Sequence, residues 1–364
     1  MKTNKRIVML GTRFDTMGGI ASVVNVYRAA GLFERWPLTY IATHRDAGKF
    51  GKFAQAAKAV LQLLARLLTF RVGVLHVHMS SGPSFWRKFG LIMMARLFGV
   101  RYLCHLHGGR FPSFYEGSGA PARWLIRDVF QHAAYTVVLS EEWKQWVQSA
   151  LSCRQVRVIA NPVTIPPLST RHEECTLLFL GRLCEGKGIY DLLRAMAAIA
   201  PEFPALRLLA GGDGEHEQVR AQAEELGIAR HVEILGWITG ADKDALIARA
   251  TIYVLPSYVE NLPMGVLEAM AAGLPVITTP VGGIPSTIEH GMDGLLVQPG
   301  DVAALADALR RLLRERSVRE ALGEAARRKA IARFSAEKVI AEIDDLYLEL
   351  GMLQSAGGKL EVAR

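Results

Sequence analysis

Short β-rich runs alternate with helical periods along nearly the whole chain, and the alternation breaks once, at the turn-rich "NPVTIPPLST" of residues 161–170. Before the break, strands read at "KRIVMLGT", "PLTYIAT", "VGVLHVH", "VRYLCHLHG", "AYTVVLS" and "QVRVIAN". Helical patterns lie between them at 49–70, 83–98, 121–133 and 141–151, and "DTMGGIAS" reads as a flexible link into a first helix. After the break the series resumes with "TLLFLG", "LRLLAGG", "VEILGW", "IYVLPS", "PVITTP" and "GLLVQP". Parallel strands need long crossovers, and a helix is the usual one. The pattern therefore predicts an α/β chain of two doubly wound, Rossmann-like domains, 1–163 and 164–335, facing each other across a cleft. Residues 336–364 add a helix expected to pack back toward the first domain, and the loose tail "QSAGGKLEVAR". With 364 residues, half of them apolar, the chain has material for two cores.

Charge separates the halves. Residues 1–160 carry 22 Lys and Arg against 7 Asp and Glu, whereas residues 161–364 carry 21 against 28. A basic first half points to an anionic partner, whether nucleic acid, anionic lipid or a phosphorylated substrate, with solubility charge as the plain alternative. The apolar stretch "FGLIMMARLFGV" is broken by Arg96 and too short to span a bilayer. "MKTNKRIVMLG" lacks the cleavage pattern of a signal peptide. Cys104, Cys153, Cys175 and Cys184 show no paired spacing, so a cytoplasmic location is expected.

Glycine-bearing turns follow strand candidates at Gly18-Gly19, Gly108-Gly109, Gly181 to Gly188, Gly211 to Gly214 and Gly282-Gly283. Each offers backbone N–H groups and a following helix N-terminus to an anion. "GRLCEGKGIYDLL" has Walker A spacing except that Gly188 stands where that loop carries a Ser or Thr for Mg²⁺. Arg182 and Lys187 put positive charge in this turn. In "PSYVENLPMGVLEAMAAGLPV", Pro263 suits the first position of a helix, and Glu268 then falls in a helix with no polar face. Such a carboxylate must be paired or hydrogen-bonded. The plain reading gives Glu260 a capping role and Glu268 an anchoring one.

Two further features have two readings each. His76 with His78, and His105 with His107, are i, i+2 pairs, each on one strand face. Four imidazoles could bind zinc, but no Cys or carboxylate falls in ligand register, and core or active-site histidines are commoner. In 49–71, Phe53, Ala57, Val60, Leu61, Leu64 and Leu68 form one stripe, with Lys49, Lys52, Lys58 and Arg66 on the opposite arc. The plain reading lays the stripe on the sheet and leaves the basic arc in water. The sharper one rests that basic arc, with "FWRKFG" at 85–90 and Arg110, on anionic lipid.

Taken together, "GRLCEGKG", "LLAGGDGE", "EILGW", the Glu260-x7-Glu268 pair and "EHGMDGLLVQPGD" resemble the retaining, nucleotide-sugar glycosyltransferases of family 4, which have the GT-B fold. The likeness is dense over 176–315 and thinner before 160, where "GGIASVV", "HLHGG", "VVLS" and "VIANPV" carry it. The resemblance implies that Arg182 and Lys187 hold the donor diphosphate, with Gly18 and Gly19 closing on it and Met264 and Gly265 offering backbone N–H groups. It implies that Glu268 takes the ribose hydroxyls, that Glu260 and His107 face the donor sugar, and that "GWITGADK", with Ile238 and Lys243, holds the base. Asn261 departs from the family, where Gly is frequent, and so does Thr164, where Asp is. The resemblance implies a site without a metal-binding Asp-x-Asp element, its cations being Arg182 and Lys187, so no metal or cofactor is expected.

The implied activity is transfer of a hexose from a UDP- or GDP-sugar to a polyprenyl-diphosphate-linked saccharide, in exopolysaccharide, capsule or lipopolysaccharide assembly. The acceptor side would be the first domain, around "HMSSGPSFWRK" and "GGRFPSFYEG", with peripheral contact to an anionic membrane surface. A non-transferring nucleotide-sugar binder or a phosphorylase is an alternative within the same fold. A nucleic-acid-binding protein is the rival from another class, but no recognised motif or aromatic platform supports it, and no nucleic-acid partner is expected.

Overall fold

The structure, a computed structural model, describes residues 5–168, 172–354 and the backbone of 361–362. The last two residues of the 161–170 break and most of the "QSAGGKLEVAR" tail lie outside the described residues. The chain divides into two compact units, Met1–Pro162 with Ala336–Arg364, and Val163–Ser335.

In the first stretch the strands are β1 (Arg6–Gly11), β2 (Leu38–Ala42), β3 (Val72–Met79), β4 (Arg101–Leu106), β5 (Tyr135–Val138) and β6 (Val156–Val158). The helices are α1 (Gly19–Ala29), α2 (Leu32–Arg35), α3 (Lys49–Leu67), α4 (Pro83–Leu97), α5 (Phe111–Glu116), α6 (Ala120–Gln131) and α7 (Glu141–Leu151). The second unit contains β7 (Thr176–Leu180), β8 (Arg207–Gly211), β9 (Val232–Gly236), β10 (Ile252–Leu255), β11 (Val276–Thr278) and β12 (Leu295–Leu296). Its helices are α8 (Ile189–Ile199), α9 (His216–Glu225), α10 (Gly240–Arg249), α11 (Met264–Ala272), α12 (Val302–Arg314) and α13 (Arg316–Phe334). The chain then returns to the first unit through α14 (Ala336–Glu349) and β13 (Glu361–Val362).

Both sheets are parallel, with strand orders β13-β2-β1-β3-β4-β5-β6 and β12-β11-β10-β7-β8-β9. Helices cover both faces of such sheets, so their central strands are apolar without alternation. Ile7 to Leu10 in β1 and all of β3 are buried accordingly. The order reverses at β1/β3 in the first sheet and at β10/β7 in the second, the places where open α/β sheets receive ligands beyond their carboxyl ends. In the first unit α14 is tied down by polar contacts: Trp36 Nε1 donates to Asp344 at 2.6 Å, and the Arg35 guanidinium lies 3.0 Å from the same carboxylate.

Three local expectations are corrected. The segment read as flexible, "DTMGGIAS", already contains the start of α1 at Gly19, because Gly18 turns the chain at φ 131°, a conformation side chains rarely tolerate. Helix α3 is rotated from the plain reading: Lys49, Lys52 and Lys58 of its basic arc are exposed, as that reading has them, but the apolar stripe does not lie on the sheet. The helix buries Ala59, Leu63 and Leu67, while Phe53 and Leu61 stand 75% and 67% exposed. Lys88 of "FWRKFG" is fully buried and cannot touch lipid.

The Lys88 Nζ lies 2.9 Å from Ser84 Oγ, and no carboxylate among the described residues pairs with it. Burial pushes its pKa down to about 7, and the neighbouring Arg87 guanidinium adds to the effect. A lysine depressed in the folded state destabilises fully below that value, and the penalty fades as pH rises toward the ordinary lysine range. Lys88→Met is therefore expected to raise stability by roughly 1 to 4 kcal/mol near pH 6.5 and by much less near pH 10. Denaturant unfolding of both proteins at the two pH values measures this; an equal difference at both would refute the assigned cause.

Candidate functional site

The carboxyl ends of β7, β8 and β10 meet the start of α11 in the second unit, and glycines set how closely. Gly188, at φ 72°, precedes α8, and a Cβ there would lie 2.0 Å from the Pro256 carbonyl oxygen. The same construction at Gly212 meets Gly181 O at 1.8 Å, and at Gly214 it meets Leu183 O at 2.3 Å. Backbone packs on backbone here, so a Walker-type Ser or Thr has no room at position 188. The loop bearing Arg182 and Lys187 is also pinned to the β10–α11 loop by Tyr258 N–H donating to Gly186 O at 3.1 Å.

That pinning delivers Lys187 to Glu260. Lys187 Nζ lies 2.6 Å from Glu260 Oε1, and Ser257 Oγ donates to the same oxygen at 2.8 Å. Glu260 is buried. It does not cap α11, whose N-cap is Pro263. The Glu260 loop is braced from behind by Gly282, at φ 61°, where a Cβ would lie 2.2 Å from Glu260 O, and by Gly283 N–H donating to Asn261 O at 2.7 Å. Arg182 is exposed and makes no side-chain hydrogen bond or ion pair among the described residues.

A second pair lies one turn into α11. Glu268 Oε1 lies 2.5 Å from Lys243 Nζ of α10, with the two side chains 15% and 22% exposed. Burial pushes the Glu268 carboxyl up, and the Lys243 charge and hydrogen bond oppose that shift. Between the pairs sits buried Tyr253, whose hydroxyl lies 3.2 Å from Leu180 O; a Cβ at Gly265 would meet that hydroxyl at 2.2 Å. Burial raises the Tyr253 pKa, with the carboxylates of Glu260 and Glu268 adding to it. Met264 and Gly265 open α11, where the first N–H groups have no intrahelical acceptor. Ile238 is half-buried after the Gly236 turn, 3.6 Å from where a Gly211 Cβ would stand.

Arg182, Lys187, Ile238, Lys243, Glu260, Met264, Gly265 and Glu268 thus belong to one unit and sit at its strand ends and helix starts. Gly18, Gly19 and His107 belong to the other. There, His107 Nε2 lies 2.8 Å from His78 Nδ1, His76 Nε2 lies 3.2 Å from His105 Nδ1, and Tyr347 OH closes on His76 Nδ1 at 2.6 Å. Ligating atoms of His76, His78 and His105 come within 4.8 Å of one another. Their rings lie at interplanar angles of 13 to 27°, and His76 Nε2 and His105 Nδ1 already face each other as a hydrogen-bonded pair. Burial lowers all four histidines, His76 and His107 to about 3, with Lys88 as the next cause for His107. His107 is held as a neutral imidazole at physiological pH.

Sequence reasoning missed Ser257 and Tyr253. The first carried a signal, the Ser-x-x-Glu spacing of "SYVE"; the second, inside an apolar strand, carried none. The four cysteines are unpaired, and no helix among the described residues is long and apolar enough to cross a membrane.

Residues 164–329 match the family described as glycosyl transferases group 1, and residues 23–164 match the glycosyl transferase 4-like domain. The chain is 35% identical over 221 residues to an exopolysaccharide phosphotransferase of Streptomyces coelicolor, covering 59% of this chain and 23% of that protein. It is 34% identical over 236 residues to a phosphatidyl-myo-inositol mannosyltransferase of Mycobacterium leprae, covering 62% of this chain and 61% of that one. The chain thus spans less than two thirds of either relative's length. The structure of Anabaena HepE in complex with UDP-glucose superposes with a TM-score of 0.76 at 19% identity, over 94% of this chain and 99% of that one. Two Rossmann-like units in parallel α/β architecture are the GT-B fold, and each of the two matched stretches is similar to a glycosyl transferase domain.

The Lys243–Glu268 pair makes an asymmetric prediction. Lys243→Met strands a buried carboxylate and is expected to destabilise the protein by about 1 to 3 kcal/mol, whereas Lys243→Met with Glu268→Gln should return close to wild type. Chemical denaturation of the single and double variants checks it, and additive losses would show that the two side chains are not coupled.

Proposed function

We propose that this protein is a retaining glycosyltransferase that moves a hexose from a UDP- or GDP-sugar to a lipid-linked saccharide in exopolysaccharide, capsule or lipopolysaccharide assembly. The observation that carries the reading is the lysine–glutamate pair at a glycine-forced strand edge, Lys187 on Glu260, with Arg182 beside it and uncommitted. An ammonium held at 2.6 Å by a carboxylate is already positioned, and a diphosphate can take it over. The structure of HepE with UDP-glucose supports a nucleotide-sugar donor, and the two curated relatives support a polysaccharide or glycolipid product.

In this reading Lys187 and Arg182, with the N–H groups of Met264 and Gly265, neutralise charge growing on the departing diphosphate. They do so without a bound metal. Glu268 accepts from the ribose hydroxyls, and the "GWITGADK" loop, with Ile238 and Lys243, holds the base. Glu260, once Lys187 has moved to phosphate, turns its freed oxygen to the donor sugar. As the anomeric C–O bond breaks, the acceptor hydroxyl adds on the same face and its proton passes to the leaving phosphate oxygen, which preserves the anomeric configuration. The protein would act in the cytoplasm, at the inner face of the membrane that carries the acceptor.

A panel of UDP- and GDP-sugars tests the donor. One nucleoside diphosphate class is expected to raise the melting temperature, equally with EDTA present, and Lys187→Ala should abolish the effect. No protection by either class would remove the proposal.

Competition for Lys187 predicts a split outcome for Glu260→Gln. UDP or GDP alone should bind about three- to tenfold more tightly, because the competing carboxylate charge is gone, while sugar transfer falls on the order of a hundredfold. Calorimetry with the bare nucleotide decides; unchanged or weaker binding would mean that Glu260 does not compete.

A further inference from the structure

The first unit leaves uncovered the apolar row of α3 that its periodicity reserves for a core. Phe50, Phe53, Leu61 and Leu68 are 93%, 75%, 67% and 58% exposed, at the spacing of one helix face, while Ala59, Leu63 and Leu67 take the buried side. The row continues past the helix: Phe70 is exposed, its ring is 6.1 Å from that of Phe98, and the adjoining Leu97 at the end of α4 is exposed as well. A contiguous apolar surface on a soluble unit marks a place where something binds.

The charge around it says what. Between Asp46 and Glu116 the sequence has ten basic residues and no acidic one. Three of them, Lys49, Lys52 and Lys58, are exposed on α3 itself. A second copy of the same face would set lysines against lysines with no acid to answer them. A bilayer with anionic headgroups answers both features, since apolar rings and Leu side chains enter the acyl boundary while lysine stems reach back to the headgroups.

We infer that α3 lies in the plane of an anionic membrane with the Phe50–Phe53–Leu61–Leu68 face inserted and its lysines at headgroup level, joined by Phe70 and Leu97. The inference deepens the lipid-linked acceptor reading and rests on it for its purpose. It replaces the expectation that a basic arc alone makes the contact: insertion, not surface charge by itself, supplies the hold, and charge selects the lipid.

Sedimentation with vesicles of phosphatidylcholine, with and without about a third phosphatidylglycerol, tests this using the full chain without donor. Binding is expected to the anionic vesicles and to be at least tenfold weaker to the neutral ones. Leu61→Glu with Phe53→Glu should abolish it, with melting temperature and nucleotide protection unchanged. Leu61→Trp should shift its emission to the blue on anionic vesicles and be quenched by brominated acyl chains. Binding that survives the double glutamate variant, a Leu61→Trp probe that stays in water, or no binding at low salt would each overturn the inference. So would concentration-dependent dimerisation removed by the same variant without vesicle binding. Because nucleotide protection is read separately, loss of one result leaves the other standing.

Discussion

At the carboxyl edge of the second sheet, main chain rests on main chain. Gly188 against Pro256, Gly212 against Gly181, Gly214 against Leu183 and Gly282 against Glu260 each stand where a single added carbon would sit within about 2.3 Å of a carbonyl oxygen. A side chain at any of them would force two loops apart by an ångström or more, and ion pairing at 2.6 Å does not survive such a displacement. The positions of Lys187 and Glu260 are therefore consequences of backbone contact, and their side chains need no long network of their own to hold them. The same contact leaves no room for a hydroxyl-bearing side chain at position 188, which separates this loop from a Walker A loop on steric grounds.

Each of the two carboxylates has its own lysine, and the pairs differ in what they hold. Glu268 is largely buried in an apolar helix, so Lys243 chiefly relieves desolvation. Glu260 has Ser257 as a second donor to the oxygen that meets Lys187, so a hydrogen bond remains on that carboxylate when the ammonium leaves. Charges matched within the site avoid the repulsion that crowded cations would create. On the proposed reading they would also weaken the grip on a bare nucleotide, since part of the phosphate's attraction would go into displacing a carboxylate. In the proposed reaction, which releases a nucleoside diphosphate each turn, that loss of uniform binding would be no disadvantage.

Much of this was legible in the chain. The central strands announced themselves because both faces of a parallel sheet are covered, and "TLLFL", "RLLAG" and "IYVL" appear as β7, β8 and β10. Glu268 could be read as needing a partner because "MGVLEAMAAG" offers it no water, yet Lys243, in a separate helix, could not be named from spacing. Orientation of α3 was illegible for a different reason. The helix has two apolar arcs, Ala59-Leu63-Leu67 and Phe53-Ala57-Leu61-Leu68, and periodicity reports each without saying which one meets the sheet. The narrower arc of small and γ-branched residues packs closely on the unit, and the bulky arc with Phe50 and Phe53 is left outside. Lys88 was hidden because a lone cation among aromatic residues reads as exposed by type.

One deficit connects the features of the first unit. With no acid from residue 47 to 115, a cation there faces water, meets an anion from outside the stretch, as Arg96 does at Asp128, or loses its proton. Lys49, Lys52 and Lys58 take the first and are available for the second. Lys88, sealed inside α4, has neither and is pushed toward the neutral amine, and the imidazoles at the ends of β3 and β4 are pushed the same way by burial and by one another. The imidazoles at that sheet edge are therefore polar but neutral near neutral pH, and His107 can accept or donate a hydrogen bond without carrying a formal charge. The acidic second half could not provide this, because a carboxylate beside His107 would raise its pKa and restore the imidazolium.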